Sequence, residues 1–238
     1  MRAARSLRIL NPLPSVSPME LTPDMARRAA GRAVRDLGHA LVGHHAAPAL
    51  LTNTAQTLDG LTEQLNAGGR RQRDPISFRD HHGEPSGDGL AMASYDDRPF
   101  SGLASPWGLD LEVHQRGNDV EGLVTLRAAH EGAPGRCHGG IVAALFDDVF
   151  GFILGVIGQA AFTGELTIRY ERGTPLYRPI VCRGRLTEQS GRKLWIEGEL
   201  VDITQPDEPV VARGKGLFIT VDPAMFAETM QLPAPPAD

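Results

Sequence analysis

The chain has 238 residues, of which 41% are hydrophobic and 22% charged, and its pI is about 5.9. This composition can bury a core and excludes a wholly disordered chain. Residues 1–75 carry ten Arg, no Lys and six acids, a balance of +4, which leaves −9 for residues 76–238. The acidic main part argues against a nucleic-acid surface there, whereas the basic N-terminal part leaves that option open.

The cysteines and the N-terminus predict a reducing, cytoplasmic location. Cys137 and Cys182 are too few for a disulfide framework and lack zinc-site spacing. The first ten residues are basic, but no apolar stretch of signal-peptide length follows before Pro12 and Pro14. The sequence therefore argues against secretion.

Two helical patterns predict an N-terminal helical extension over residues 1–68. The first begins with Thr22 as N-cap and Pro23 at the first helical position, and its apolar residues recur three and four apart at Ala30, Ala33, Val34, Leu37, Ala40 and Leu41. The second carries Leu58, Leu61 and Leu65 and ends at Gly68 and Gly69.

The rest of the chain divides into a connector, a main domain and a tail. Residues 69–97 are rich in charge, Gly and Pro without a period, which is typical of a connector. Residues 98–222 form the predicted domain, and residues 223–238 a tail. Alternating patterns predict strands over residues 109–115, 120–126, 164–172, 180–187, 194–203 and 210–221. Two strands, one long apolar helix and four strands indicate an α+β fold in which an antiparallel sheet wraps around one buried helix.

The apolar residues 141–157 predict that helix. Seventeen residues reach only the lower limit for a membrane span, and Asp147 and Asp148 would each cost roughly 2.5–3.5 kcal/mol at mid-membrane. We therefore expect a helix buried in a soluble core and no membrane span.

The two adjacent acids face different surroundings on this helix. Asp147 shares a stripe with small residues, namely Gly140, Ala144, Gly151, Gly155 and Gly158. Asp148 lies about 100° round the helix among bulkier side chains. A stripe of small residues lets a backbone or a slender ligand approach, so Asp147 can contact a ligand. The alternative is a structural carboxylate that only holds the helix in place, which is the role assigned to Asp148.

His138, Gly139 and Gly140 open the same helix. Unpaired N–H groups and the positive end of the helix dipole lie at a helix N-terminus, where they can stabilise a carbonyl oxygen that becomes negatively charged. The two glycines allow close approach because they have no Cβ. Together with Asp147 downstream, this opening is a candidate active site.

Four sequence blocks occur in order within residues 98–221: GAPGRCHGGIVAALFDDVFG, TGELTIRYERGTPLYRPI, GRKLWIEGEL and VARGKGLFI. They resemble the hotdog-fold acyl-CoA thioesterases of the phenylacetate-pathway type. The resemblance implies a homodimer whose sheets join edge to edge, often paired again into a tetramer, with active sites at the dimer interface and no cofactor.

The resemblance also implies roles for individual residues. Asp147, nine residues after His138, is the general base or the nucleophile, and Gly139 is the oxyanion donor. His138 lies beside the thioester, and the Thr163 hydroxyl helps to hold the attacking water. Asp147 of one subunit activates water against a thioester bound at Gly139 of the other, and CoA thiol leaves. A carboxylate with a pKa near 4 is a weak base at pH 7, so either burial raises its basicity or it attacks directly.

The chain departs from the family pattern at two places. Gly132 stands where some members have an Asn that donates to the carbonyl, so either one donor suffices or another residue supplies the second. The usual Arg-Pro-Thr-Pro-Leu run reads Arg-Gly-Thr-Pro-Leu at residues 172–176.

Several further residues are candidates for binding phosphates or metals, or for packing. Four cations at strand ends or turns are predicted to bind the CoA phosphates, with solvated strand edges as the alternative: Arg169, Arg172, Arg192 and Lys193. Gly140 is also predicted to bind substrate. No metal is predicted, since the pairs His44–His45 and His81–His82 lack further ligands at suitable spacing. Cys137 is predicted to be a buried thiol, and Trp107 and Trp195 to be packing residues, with a place at the border of the acyl pocket as the alternative.

Two functions stay open. The first is hydrolysis of acyl-CoA thioesters. The second is a non-catalytic, acyl-CoA-binding regulator whose basic N-terminal helices contact DNA or a protein.

Overall fold

The computed structural model describes residues 22–71 and 91–221. Its helices are α1 (Pro23–Gly43), α2 (Pro48–Asn66) and α3 (Gly139–Val156), and a short 3-10 helix spans Ala128–His130. Its strands are β1 (Glu112–Arg116), β2 (Asp119–Thr125), β3 (Ala161–Tyr170), β4 (Pro179–Ser190), β5 (Lys193–Asp202) and β6 (Val210–Thr220). The predicted tail and residues 72–90 of the predicted connector, with His81 and His82, lie outside the described residues.

The strands form one antiparallel sheet in the order β1-β2-β4-β5-β6-β3. The chain leaves β2, runs through α3 and returns at the far edge as β3, so α3 lies against one face of the sheet. The predicted α+β hotdog arrangement is therefore confirmed. The first strand begins three residues later than predicted, because Asp110 has a positive φ of 53° that interrupts an extended chain.

The core lies between α3 and the sheet. Phe146 and Phe150 are fully buried and pack on strand positions that carry no side chain. A Cβ at Gly214 would come within 2.6 Å of the Phe146 ring, and one at Gly198 within 2.8 Å of the Phe150 ring. Glycine in these strands therefore makes room for the large rings of the helix. By length and composition α3 could span a bilayer, but half of it is buried within this core, as in a soluble protein.

Helix α1 docks through a polar row rather than through its apolar stripe. Thr22 caps it as predicted, with its hydroxyl accepting from Met25 N at 3.3 Å. Gly31 lies against the Ala104 carbonyl, where a Cβ would come within 2.3 Å of the oxygen. Arg35 is buried and donates to the Leu103 and Ser105 carbonyl oxygens at 3.1 and 2.5 Å. A sequence pattern of apolar spacing could not reveal this face, because its partners are backbone carbonyls.

Helix α2 begins ten residues before its leucine pattern, with Pro48 at the first turn. It buries no residue, and α1 and α2 do not pack along each other. Residues 22–68 of the predicted helical extension thus form two helices, of which α1 packs against the 3-10 helix of the sheet domain, and residues 1–21 lie outside the described residues.

The two tryptophans differ in their surroundings. Trp107 is 76% exposed, so the prediction that it is a packing residue is wrong for this chain. Trp195 is half-buried on β5, where outward-facing residues alternate with buried ones.

Candidate active site

Asp147 and Thr163 are in direct contact. The Thr163 hydroxyl donates a hydrogen bond to Asp147 Oδ1 at 2.8 Å. Both side chains are exposed in the single chain, so the carboxylate is open to solvent and to a ligand. The structure brings together the two residues that the sequence placed in separate elements, the central helix and the strand that follows it.

A β-bulge directs Thr163 toward the helix. Thr163 pairs with Phe218, whereas Glu165 pairs with Leu217, so Gly164 is an extra residue in β3. Phe218 is buried in the core, and directly opposed residues share a face of the sheet. If Gly164 were regularly paired instead of bulged, Thr163 would share the outer face with Glu165 and Thr167.

Asp148 has the structural role that the sequence assigned to it. Arg98 Nε donates to Asp148 Oδ1 at 2.6 Å, and Arg98 Nη2 donates to the Asp148 carbonyl oxygen at 2.9 Å. Burial raises the pKa of Asp148, and the positive charge of Arg98 opposes that rise. The carboxylate thus fastens residues 91–108 to α3, while its neighbour Asp147 faces out.

Gly151 shows that part of the small-residue stripe is not open to a ligand. A Cβ at Gly151 would come within 2.3 Å of Arg98 Nη2. The guanidinium also lies 4.8 Å from the centre of the Phe152 ring. The stripe was expected to form a trench, but at Gly151 this trench is filled by Arg98. Sequence reasoning did not single out Arg98, because it lies 50 residues from its partner.

The opening of α3 offers one free N–H donor. His138 is the N-cap, and its Nδ1 accepts from Gly140 N at 3.0 Å. The Gly140 N–H is therefore already used, which removes it as a donor to substrate in this state. No hydrogen-bond partner is recorded for the Gly139 N–H among residues 22–71 and 91–221. Gly139 thus retains the free donor that the predicted oxyanion role requires.

Tyr170 lies over Gly139. Its hydroxyl donates to the Gly139 carbonyl oxygen at 2.8 Å, and it would be 3.0 Å from a Cβ at Gly139. The space expected above Gly139 is therefore occupied by this ring in the single chain. The sequence contained a signal for it, since Tyr170 alternates with Leu166 and Ile168 on the helix-facing side of β3, but no role was assigned to it.

Cys137 is not arranged as a nucleophile. The thiol is half-buried, burial raises its pKa to about 12, and its Sγ contacts the His138 carbonyl oxygen at 3.4 Å rather than the ring. A thiol with a high pKa is a poor source of thiolate. The part of the chain that the structure describes holds no group of three or more potential metal ligands.

The four predicted phosphate-binding cations divide between the two ends of β3. Arg192 and Lys193 lie at the Thr163 end, since Lys193 and Phe162 both pair with Ile219. Arg169 and Arg172 lie at the Tyr170 end. Arg169 is paired with Glu171 at 3.1 Å, and Arg192 donates to the Thr220 carbonyl oxygen at 3.0 Å. Within one chain these cations do not converge.

Comparisons with known proteins support the fold and the family. Residues 134–208 match the sequence model of the thioesterase superfamily. The acyl-coenzyme A thioesterase THEM4 of Bos taurus is 31% identical over 93 residues, which are 39% of this chain and 37% of that protein. The human acyl-coenzyme A thioesterase THEM5 is 29% identical over 89 residues, 37% of this chain and 35% of its own. The matches thus span little more than a third of these curated relatives.

A solved structure covers more of the chain. The crystal structure of a thioesterase superfamily protein superposes with a TM-score of 0.68 and 26% identity, over 81% of this chain and 90% of its own. The PaaI protein from the phenylacetic acid degradation operon of E. coli has a TM-score of 0.44 and 19% identity, over 48% of this chain and 81% of its own. The family match, the relatives and the shared helix-in-sheet architecture thus all make this chain similar to the thioesterase superfamily.

Proposed function

We propose that the protein hydrolyses acyl-CoA thioesters to the free acid and CoA. The observation that carries the proposal is the exposed Asp147 carboxylate, held by the Thr163 hydroxyl at 2.8 Å on the same helix whose opening presents the free Gly139 N–H. A carboxylate that can activate or replace water, and a donor for an oxyanion, are the two groups that thioester hydrolysis needs.

The distance between these groups supports a site shared by two subunits. Asp147 lies eight residues after Gly139 on α3, which is about 12 Å along the helix axis. A base and an oxyanion donor that act on one carbonyl must both lie within about 3 Å of the reacting atoms or of one bridging water. We therefore place each active site between Gly139 of one subunit and Asp147 of the partner subunit.

Strand β3 provides the edge that joins the subunits. It lies at one end of the sheet, is ten residues long and is mostly exposed. A long, uncovered edge strand is a ready template for pairing with another chain. An antiparallel pair centred on Thr167 places Leu166 opposite Ile168 of the partner subunit, and the extra residue Gly164 then brings Thr163 opposite Tyr170 of the partner subunit. That register brings the Asp147–Thr163 pair of one subunit to the Gly139–Tyr170 pair of the other.

The same register gathers the cations. Arg192 and Lys193 of one subunit then lie near Arg172 of the partner subunit, around one composite site. We infer that these exposed side chains bind the phosphates of CoA, since arginine and lysine are the usual partners of phosphate oxygens. Arg169 is directed to the outer face, where it pairs with Glu171, and contributes less.

The relatives favour the same substrate class. The bovine and human proteins that match residues of this domain are named acyl-coenzyme A thioesterases. We extend the acyl-CoA substrate to this chain and retain the cytoplasm as its predicted location. Pairing of two dimers into a tetramer stays a prediction.

The regulator alternative receives no support from α1. Three of its arginines are engaged within the chain: Arg28 with Asp96 at 2.7 Å, Arg32 with Asp36 at 3.6 Å and Arg35 with Asp110 at 2.8 Å. The contacts of Arg28 and Arg35 dock the helix on its own domain, whereas the Arg32–Asp36 contact lies within the helix. A basic surface for DNA needs such side chains to be available for phosphates.

The test is release of free thiol by the purified full chain from a panel of short, medium, long and aryl acyl-CoA substrates. We expect hydrolysis by the wild type, and a loss of about 10²–10⁴-fold in kcat for Asp147→Asn, the range for a general base. Asp207→Asn, the same change at an exposed aspartate in the β5–β6 loop, is the matched control and should retain the wild-type rate. A silent wild type, or an Asp147→Asn variant as fast as the control, would contradict the proposal.

A further inference from the structure

The opening of α3 offers too few backbone donors for an oxyanion. Oxyanion sites generally combine two or more donors aimed at the developing charge. Here the Gly139 N–H is free, whereas the Gly140 N–H is committed to His138 Nδ1 at 3.0 Å. One backbone donor therefore remains, and a second has to come from a side chain nearby.

Position 132, in the turn before the helix, cannot supply that side chain. A Cβ at Gly132 would come within 2.8 Å of His138 Cα and 2.9 Å of His138 Cβ. Such contacts are too close for real atoms, so any larger residue at position 132 would displace the N-cap residue itself. Gly132 thus has to stay without a side chain for His138 to remain in place.

Tyr170 has a hydroxyl in a suitable place. It donates to the Gly139 carbonyl oxygen at 2.8 Å and lies 3.0 Å from the position of a Cβ on Gly139. The residue is 51% exposed, so the hydroxyl lies at the surface of the helix opening and not within the core. A phenolic hydroxyl donates one hydrogen bond and can rotate about its C–O bond, so it can exchange one acceptor for another.

We propose that the Tyr170 hydroxyl is the second donor to the thioester oxygen, acting beside the Gly139 N–H of the same subunit; this rests on the proposed hydrolysis. In the ligand-free chain the hydroxyl is held by the Gly139 carbonyl. When a thioester binds, it rotates to the substrate oxygen, and the Gly139 carbonyl keeps the helical N–H four residues further on as its donor. No proton is transferred, since Tyr170 only donates a hydrogen bond.

The first test is Tyr170→Phe, which removes one oxygen and keeps the ring against Gly139. We expect kcat to fall by about 100-fold, the effect of losing one oxyanion donor, with KM changed by less than about threefold. Tyr177→Phe is the matched control, because Tyr177 is 65% exposed and lies outside the site. A kcat for Tyr170→Phe equal to that of the control would overturn the proposal.

The second test separates a donor from a residue that only positions the loop. Two unreactive ligands are compared by calorimetry: a ketone analogue of acyl-CoA, which keeps the carbonyl oxygen, and an S-alkyl-CoA thioether, which lacks it. Tyr170→Phe should weaken the ketone about tenfold and leave the thioether unchanged, as expected for one lost hydrogen bond. Equal weakening of both ligands, or of neither, would overturn the proposal.

The binding test also distinguishes the two proposals from each other. If the wild type binds both analogues and hydrolyses nothing, the proposed hydrolysis fails, while a selective loss of ketone binding still supports the Tyr170 donor. If the wild type hydrolyses acyl-CoA and the ketone contrast is absent, only the Tyr170 donor fails.

Discussion

Arg98 and Asp148 form a buried ion pair, with Nε 2.6 Å from Oδ1 and both side chains at most 10% exposed. This pair gives Asp148 a structural role that the adjacent Asp147 does not have. Asp148 binds the chain segment that precedes the sheet, and the absence of a side chain at Gly151 leaves room for the guanidinium. Asp147 is thereby left free to face the site.

Asp148→Ala should destabilise the fold by about 3–5 kcal/mol, because it leaves the Arg98 guanidinium buried without a counter-charge. Urea denaturation of the full chain measures this loss. The double variant Arg98→Met with Asp148→Leu should recover most of the stability, since apolar residues of similar volume can replace a buried pair. A loss below 1 kcal/mol for the single variant would show that the pair is not buried in solution.

Thr163→Val should lower kcat by about 10–100-fold, because it removes the hydrogen bond that holds the Asp147 carboxylate and keeps the side chain's shape. Thr163→Ser retains the hydroxyl and should stay within a few-fold of the wild type. Steady-state kinetics on the best acyl-CoA substrate measures both. A Thr163→Val rate equal to that of the wild type would mean that the hydrogen bond has no part in catalysis.

A mixture of two inactive variants should regain activity if each site is shared by two subunits. Gly139→Pro removes the free N–H and displaces the Tyr170 hydroxyl, which lies 3.0 Å from a Cβ at this position, while proline itself is well tolerated at the first position of a helix. His138 already has the extended conformation that a following proline requires (φ −65°, ψ 134°). In a mixed dimer with Asp147→Asn, one site carries both lesions and the other carries neither.

Co-refolding equal amounts of Gly139→Pro and Asp147→Asn should therefore restore about a quarter of the wild-type rate, since half of the dimers are mixed and half of their sites are intact. Each variant refolded alone is the control. No recovery, with mixed dimers verified by native mass spectrometry, would place both groups of a site in one chain.

Acid should loosen the docking of α1. Burial is the largest cause that lowers the pKa of His130 to about 4, followed by the charges of His39 and Arg127, while Asp110 opposes the shift. His39, which contacts His130 with ring centres 4.6 Å apart, also has a lowered pKa, mainly through burial. Both rings accept backbone N–H bonds through Nδ1, from Arg127 and Ala129, and must be neutral there to do so.

The direction of the pH effect follows from the protons that His130 binds in the docked and the undocked forms. Above about pH 6.5 His130 is neutral in both forms, and docking has its full stability. Between about 6.5 and about 4 the undocked His130 binds a proton that the docked His130 does not. The urea midpoint should therefore fall as the pH is lowered through that window. His130→Asn, which can still accept from Arg127 N, should show a smaller fall than the wild type. Identical pH profiles for the two proteins would refute the assignment.

Most of the architecture could be predicted from the sequence, because the alternation of strands and the apolar spacing of helices are local signals. The six strands and the central helix follow from periods of two and of three to four residues. The exposed position of Asp147 follows from the small residues on its side of α3, whereas Phe146 and Phe150 lie on the adjacent side and pack on the sheet. Each of these signals is contained within a single helix or strand.

What the sequence did not reveal depends on contacts between distant residues. The partner of Asp148 lies 50 residues upstream in a segment without periodicity, and α1 docks through backbone carbonyls that accept from Arg35. The side of β3 on which Thr163 lies depends on a bulge at Gly164 that alternation alone would place wrongly. Tyr170 continues the alternation of Leu166 and Ile168, but its proposed function depends on its contact with Gly139, which the sequence does not reveal.

The bulge at Gly164 affects the position of a site residue and leaves the folding core unchanged. Because Gly164 has no partner on β6, Thr163 lies opposite Phe218 and on the helix-facing side of the sheet. A strand in which Gly164 instead took a regular place in the ladder would turn the threonine hydroxyl to the outer face, away from its carboxylate. Such a shift would silence the protein while the core phenylalanines, and with them most of the thermal stability, stayed untouched.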